Sequence, residues 1–137
     1  MSSIDMHTTV FAYNALSNAT ISSDTTTVGA IIDTQGYESL EFLIKSGTRT
    51  DGTYTPLIED GDDSGLSDAA AVTDTFLLGT EAAAAITASN ALGRIGYCGK
   101  KRYVRLSIVS TSVTTGCTSF GGIALLGHAR TQPTTNN

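Results

Sequence analysis

The chain has 137 residues, of which 40% are hydrophobic and 15% are charged, and its formal net charge is −5. This length and composition fit one globular domain that can bury a core without disulfide or metal staples. The cysteines, Cys98 and Cys117, form no metal-binding motif. The first ten residues lack the basic and apolar regions of a signal peptide, and no apolar run is long enough to cross a bilayer. We therefore expect a protein made in a cytoplasm, with free thiols and no membrane contact.

The charges are unevenly distributed along the chain. All 13 acidic residues lie within residues 5–81, whereas residues 94–137 contain six cations and no acid. Such segregation can mark a surface for nucleic acid or membrane, or a subunit with two oppositely charged faces. It can also arise when a basic strand pairs beside acidic strands within one chain. The basic run at residues 99–105 could follow a nucleic-acid backbone, but the acidic balance of the whole chain argues against direct nucleic-acid binding.

The first 45 residues predict an arm followed by two strands. Residues 1–24 show weak periodicity and predict an extended N-terminal arm, with one strand near residues 8–13. Residues 25–32 are rich in Thr, Val and Ile and end at a turn-like cluster, which predicts a strand. Residues 37–45 alternate between apolar and polar positions, as in a strand with one buried face.

The middle of the chain combines a predicted hairpin, an acidic loop and short elements. Residues 46–52 contain Asp-Gly and predict a hairpin connection to a return strand at residues 53–59. Because Pro56 has no N–H to donate, that strand should lie at a sheet edge or carry a bulge. Beyond the loop, residues 76–78 could form a short strand. Residues 81–85 could form one helical turn capped by Thr80.

The last third of the chain predicts the most regular strands. Residues 94–98 form one strand, and residues 103–110 alternate so clearly that they predict a central strand. Residues 120–128 are apolar and rich in glycine, which predicts a last buried strand. The sequence therefore predicts an all-β, single-domain antiparallel β-sandwich or jelly roll at residues 25–130, with a flexible tail at residues 131–137.

The acidic loop is the one segment with metal-like spacing. It resembles the start of a calcium loop in Asp60, Asp62, Ser64, Gly65 and Asp68. The twelfth position of that motif is Ala71 instead of the required glutamate. We therefore expect a solvated acidic turn, and no metal or other cofactor.

Catalytic motifs are also missing from the sequence. His7 and His128 are the only imidazoles, and neither has a catalytic motif around it. We expect a structural or binding protein and not an enzyme.

Several runs resemble small structural proteins of tailed bacteriophages. The runs that carry the resemblance are LEFLIKSG (40–47), GTYTPLIED (52–60), DDSG (62–65), RIGY (94–97), GKKRYVRLS (99–107) and GGIALLGHAR (121–130). The resemblance implies a virion protein, foremost a capsid decoration (cement) protein on the capsid surface that binds the lattice of the major capsid protein. Such proteins are commonly compact β-domains in symmetric oligomers, often trimers. A tail or head–tail connector subunit remains an alternative within the same class.

Two expectations about contacts follow from this interpretation. The arm at residues 1–24 would become ordered against an adjacent subunit. The predicted contact residues are basic: Arg94, Lys100, Lys101, Arg102 and Arg105. A carbohydrate-binding module is the alternative from a different class. The chain has no Trp, and no aromatic platform is evident among its tyrosines Tyr37, Tyr54, Tyr97 and Tyr103.

Overall fold

Two antiparallel sheets face each other in the computed structural model, which describes residues 5–131. The described strands are β1 (Phe11–Ile21), β2 (Thr26–Asp33), β3 (Tyr37–Lys45), β4 (Thr53–Gly61), β5 (Ala70–Ala71), β6 (Leu77–Leu78), β7 (Leu92–Tyr97), β8 (Tyr103–Thr111) and β9 (Cys117–Ala129). Sheet A has the order β1-β9-β3-β7-β6, and sheet B has the order β2-β8-β4-β5. The predicted all-β sandwich is thus confirmed.

Side-chain alternation along the strands builds the core between the sheets. Phe42 and Ile44 of β3 point inward from sheet A, while Leu106 and Ile108 of β8 point inward from sheet B, and none of the four is exposed. Because successive residues of a strand point to opposite faces, the residues between them lie on the outer faces. The strand β8 lies between β2 and β4, as the alternation predicted for a central strand.

Residues 11–21 of the predicted arm belong to the sandwich. The strand β1 pairs with β9 of the same chain, and its residues Ala15, Leu16 and Ile21 are buried in the core. The prediction that residues 1–24 form an arm ordered by a neighbour is therefore wrong for Phe11–Ile21. The periodicity was weak because the β1–β9 register shifts three times along the strand, which disrupts strict alternation. Of the predicted tail at residues 131–137, residues 132–137 lie outside the described residues.

The predicted hairpin between the third and fourth strands is a crossover between the sheets. The strand β3 belongs to sheet A and β4 to sheet B, so the two do not pair. The chain is held as it leaves β3, because Ser46 Oγ donates to the Ala88 carbonyl oxygen (3.1 Å) and accepts from the Ala91 N–H (3.0 Å). The turn signal was correct, but a local signal does not reveal which sheet receives the next strand.

The predictions for Pro56 and residues 81–85 correspond to observed features. On both sides of Pro56, the N–H groups of Tyr54 and Ile58 donate to loop acceptors, namely Ile86 O and Glu81 Oε1. Pro56 therefore occupies a position of β4 that faces the sheet edge, where no N–H is needed. Residues 81–84 form a turn in which Thr80 Oγ1 accepts from the Ala83 N–H (3.1 Å).

Candidate protein-interaction face

The outer surface of sheet A presents rows of apolar side chains with three charged residues among them. The register of β9, β3 and β7 aligns their outward residues in three rows. These rows are Leu125–Glu41–Gly96, Ile123–Leu43–Arg94 and Gly121–Lys45–Leu92. Leu78 of β6 extends the first row beyond Gly96. We call this surface, including Leu78, face A.

Face A is uncovered in the described part of the chain. Leu92 is 68% exposed, Leu78 is 62% exposed and Ile123 is 47% exposed. These values are high for large apolar side chains that lie close together on one surface. Contiguous apolar surface of this kind commonly marks a site of protein contact.

A groove crosses one half of face A. It has a volume of about 590 Å³ and passes between β1, β9 and β3. Gly121 and Gly122 line it together with Leu43 and Ile123. Because glycine has no side chain, the surface is depressed at these two residues. Leu125, in the first row, places a large side chain on the same strand.

The five predicted contact residues do not share one surface. Arg94 lies on face A, and Lys100, Lys101 and Arg102 lie in the connection between β7 and β8. Arg105 is on the outer face of sheet B, where its register neighbour is Glu59. The connection lines a depression of about 480 Å³ together with Arg130 and Glu38. We call this end of the sandwich, which carries Lys100, Lys101, Arg102 and Arg130, the basic end.

Four of the six cations in the C-terminal third pair with carboxylates of the acidic segment. Arg102 makes two hydrogen bonds to the Asp33 carboxylate (2.8 and 2.9 Å), and Arg105 Nη2 lies 2.9 Å from Glu59 Oε1. The other ion pairs among the described residues are Lys101–Asp62 and Arg130–Glu38. These pairs support the interpretation that basic strands and turns lie beside acidic ones. Within residues 5–131, Arg94 and Lys100 are the cations of the C-terminal third without an ion pair.

The acidic loop uses its carboxylates to hold its own backbone. Asp68 accepts from the N–H groups of Asp62 (2.9 Å) and Asp63 (3.2 Å), and these hydrogen bonds lower its pKa. Asp63 accepts from the N–H groups of Ser67 (3.2 Å) and Gly65 (2.9 Å), and its pKa is lowered for the same reason. No cluster of three potential metal ligands occurs in residues 5–131.

The remaining candidate groups do not assemble into a larger site. Ser39 Oγ lies 2.9 Å from His128 Nδ1 on the protein surface, and no carboxylate within residues 5–131 hydrogen-bonds to that ring. Among the tyrosines considered for a carbohydrate platform, Tyr54 and Tyr97 are buried in the core. Tyr97 donates to Asp60 Oδ2 (2.6 Å), and burial together with this hydrogen bond raises its pKa.

Face A was not among the sites predicted from the sequence. The signal was present, because Leu43, Ile123 and Leu125 occupy the outward positions of strands in which polar residues are expected. Their proximity becomes evident only from the order of β9 and β3 in the sheet.

Comparison with protein families, curated proteins and solved structures finds no match for this chain. Within residues 5–131, no helix is long and apolar enough to cross a membrane.

Proposed function

We propose that this protein is a bacteriophage virion structural protein, a capsid decoration protein that binds the major capsid protein lattice and stabilises the head. The runs that resemble phage structural proteins include parts of β3, β4, β7, β8 and β9. The resemblance therefore covers strands of both sheets. The proposal assigns the protein no enzymatic activity and no cofactor.

The observation that carries the role in a larger assembly is face A. A sandwich that works alone gains nothing from Leu92, Leu78 and Ile123 in water, whereas a subunit of a larger assembly gains free energy when they are covered.

The basic end is the proposed contact with the lattice. Lys100 is exposed and has no ion pair within the described residues, and it lies beside Lys101 and Arg102. Because Lys101 and Arg102 are paired with Asp62 and Asp33, Lys100 is the one of these three cations whose charge can attract an acidic surface, and the attraction weakens as salt rises. Because Lys100 is on a connection at one end of the sandwich, lattice binding there leaves face A available for another partner.

Cosedimentation with empty heads that lack this protein tests the proposal. We expect saturable binding at a fixed ratio to the major capsid protein. Failure to bind heads, with the protein instead found on isolated tails, would replace the decoration role by the tail or connector role.

Two charge reversals of equal size locate the contact on the protein. Lys100→Glu should weaken head binding by about tenfold, since it converts attraction into repulsion. Lys45→Glu makes the same change of charge on face A and tests whether that face contacts the lattice instead. If Lys45→Glu abolishes binding and Lys100→Glu does not, face A itself contacts the lattice.

A further inference from the structure

We propose that face A binds a second copy of the same chain in a two-fold symmetric dimer. This inference deepens the proposed function. It rests on that function in one respect, namely that another protein surface covers face A. We infer a second copy because both the charges and the surface shape of the three rows are complementary to themselves.

The charges of face A are complementary to themselves. On β3, Glu41 and Lys45 flank Leu43 on the same face, and each lies two residues from it. A two-fold axis that runs across the strands above Leu43 reverses the order of the rows. Glu41 of each copy then lies opposite Lys45 of the other, and the two leucines meet at the axis. Isologous contacts of this kind place each complementary pair in the interface twice.

The shape of face A is also complementary to itself under the same rotation. The reversal brings Leu125 of one copy over Gly121 of the other, because these residues occupy the outer rows of β9. Gly121 lines the groove, so the leucine enters a depression instead of meeting another large side chain. Ile123 packs against its own counterpart in the middle row. Apolar side chains that fill hollows give the close packing of a specific interface.

Arg94 is compatible with this arrangement. It lies in the middle row on β7, next to Leu43 and near the margin of the face, and its side chain is exposed. Under the rotation Arg94 approaches Arg94 of the other copy, and the repulsion between these two positive charges costs free energy. The strand beside it in the second copy carries Glu41, which lies within reach of a long arginine side chain.

The size of face A sets the expected affinity. It spans four strands, β9, β3, β7 and β6, at a spacing of about 4.8 Å. Its three rows, two residues apart, cover a similar length of about 14 Å along the strands, so the area of face A is on the order of 200 Å² before its margins are added. That area is small beside the roughly 800 Å² per partner of a standard interface. We therefore expect a dimer that dissociates in the micromolar range, so that protein concentration controls its population.

Sedimentation velocity of the purified chain across the micromolar range tests the inference. We expect the sedimentation coefficient to rise from that of a monomer to that of a dimer. Lys45→Glu and Glu41→Lys should each raise the dimer dissociation constant by about tenfold or more, because each places like charges opposite one another. The double variant that carries both reversals should restore the wild-type constant, since the opposed pair is re-formed with exchanged signs.

A second pair of variants compares the two outer faces of the sandwich. Leu92→Lys on face A should weaken association, whereas Val28→Lys on sheet B should not. The two side chains are similarly exposed, at 68% and 57%. Circular dichroism of every variant checks that the fold is retained.

Three results would overturn the inference. They are a wild-type monomer at all concentrations, a trimer mass, and a double reversal that associates no better than the single ones. Because this experiment uses no heads, a failed dimer leaves the head-binding test of the proposed function unaffected.

Discussion

At the scale of single residues, Asp51 connects two loops that would otherwise be separate. Its carboxylate accepts from the N–H groups of Thr115 (2.9 Å), Gly116 (2.8 Å) and Thr114 (3.1 Å) in the connection between β8 and β9. Its own carbonyl oxygen accepts from the Tyr54 hydroxyl (2.9 Å). The three backbone hydrogen bonds, that from Thr115 foremost, lower the pKa of Asp51. The residue therefore fastens the crossover between the sheets to the start of β9.

Replacing Asp51 with alanine should lower the thermal midpoint clearly, because three backbone N–H groups lose their acceptor. Asp51→Asn should have a smaller effect, since one side-chain oxygen remains. Asp74→Ala is the matched control, because this exposed aspartate accepts no side-chain hydrogen bond within residues 5–131. Thermal melts followed by circular dichroism measure the effect, and equal midpoints for the Asp51→Ala and Asp74→Ala variants would contradict the assignment.

At the scale of elements, β1 and β2 meet at a close approach that requires a glycine. A β-carbon at Gly29 of β2 would overlap the carbonyl oxygens of Leu106 on β8 and Ala15 on β1. The overlap involves backbone on both sides, so no side chain can move away to relieve it. The contact also shows that β1 is packed on the sandwich, with its own backbone against sheet B.

Gly29→Ala should therefore lower the free energy of unfolding by about 3 kcal/mol or more, as overpacking against backbone does. Gly121→Ala is the matched control on β9, because its nearest atom is Asn18 Oδ1 at 3.3 Å. The free energy of unfolding of the Gly121→Ala control should stay within about 1 kcal/mol of the wild-type value. Urea unfolding at low protein concentration measures both values. A mild effect of Gly29→Ala would mean that β1 can separate from the sandwich.

The same elements show how far sequence reasoning reaches. Period-two alternation located β3 and β8 closely, because each has one strictly buried face and a regular register with β7 or β4. It did not predict β1 as a sheet strand, since adjacent Ala15 and Leu16 are both buried where the register shifts. Strand order depends on contacts between distant segments, and no local pattern encodes it.

Predicting the candidate site would have required the strand order, which the sequence does not reveal. Arg94 was predicted as a contact residue because of its charge, and the structure places it beside Leu43 on face A. Arg105 was predicted for the same reason, but it is paired with Glu59 on the opposite outer face. Composition identifies the charges, whereas only the register determines which of them share a surface.

At the scale of the whole molecule, aspartates fasten segments that are distant in the sequence and hold the backbone of the acidic loop. Asp33 is bound by Arg102, and this hydrogen bond is the main reason for its lowered pKa. Asp51 binds the connection between β8 and β9, and Asp63 and Asp68 bind the backbone of their own loop. The pKa of each of these carboxyl groups is below its ordinary value of 3.8 in the folded chain.

The shared direction of these shifts predicts a loss of stability in acid. When the folded pKa is lower than the unfolded one, the unfolded chain binds more protons, so stability rises with pH. The contribution is fully present above pH 3.8, and it disappears as pH falls through the lowered folded values. We therefore expect the urea midpoint to change little from neutral pH to about pH 5 and to fall steeply below about pH 4.

Urea unfolding at a series of pH values measures this profile, and the Asp51→Asn variant isolates one contribution to it. Asparagine does not titrate, so the variant should start from a lower midpoint at neutral pH and lose less on acidification. The difference between the two proteins should therefore shrink as pH falls, because protonation of Asp51 removes from the wild type the same charge that the substitution removes. A constant difference down to the lowest pH would show that the carboxylate charge of Asp51 contributes nothing, and that its oxygens act only as neutral hydrogen-bond acceptors.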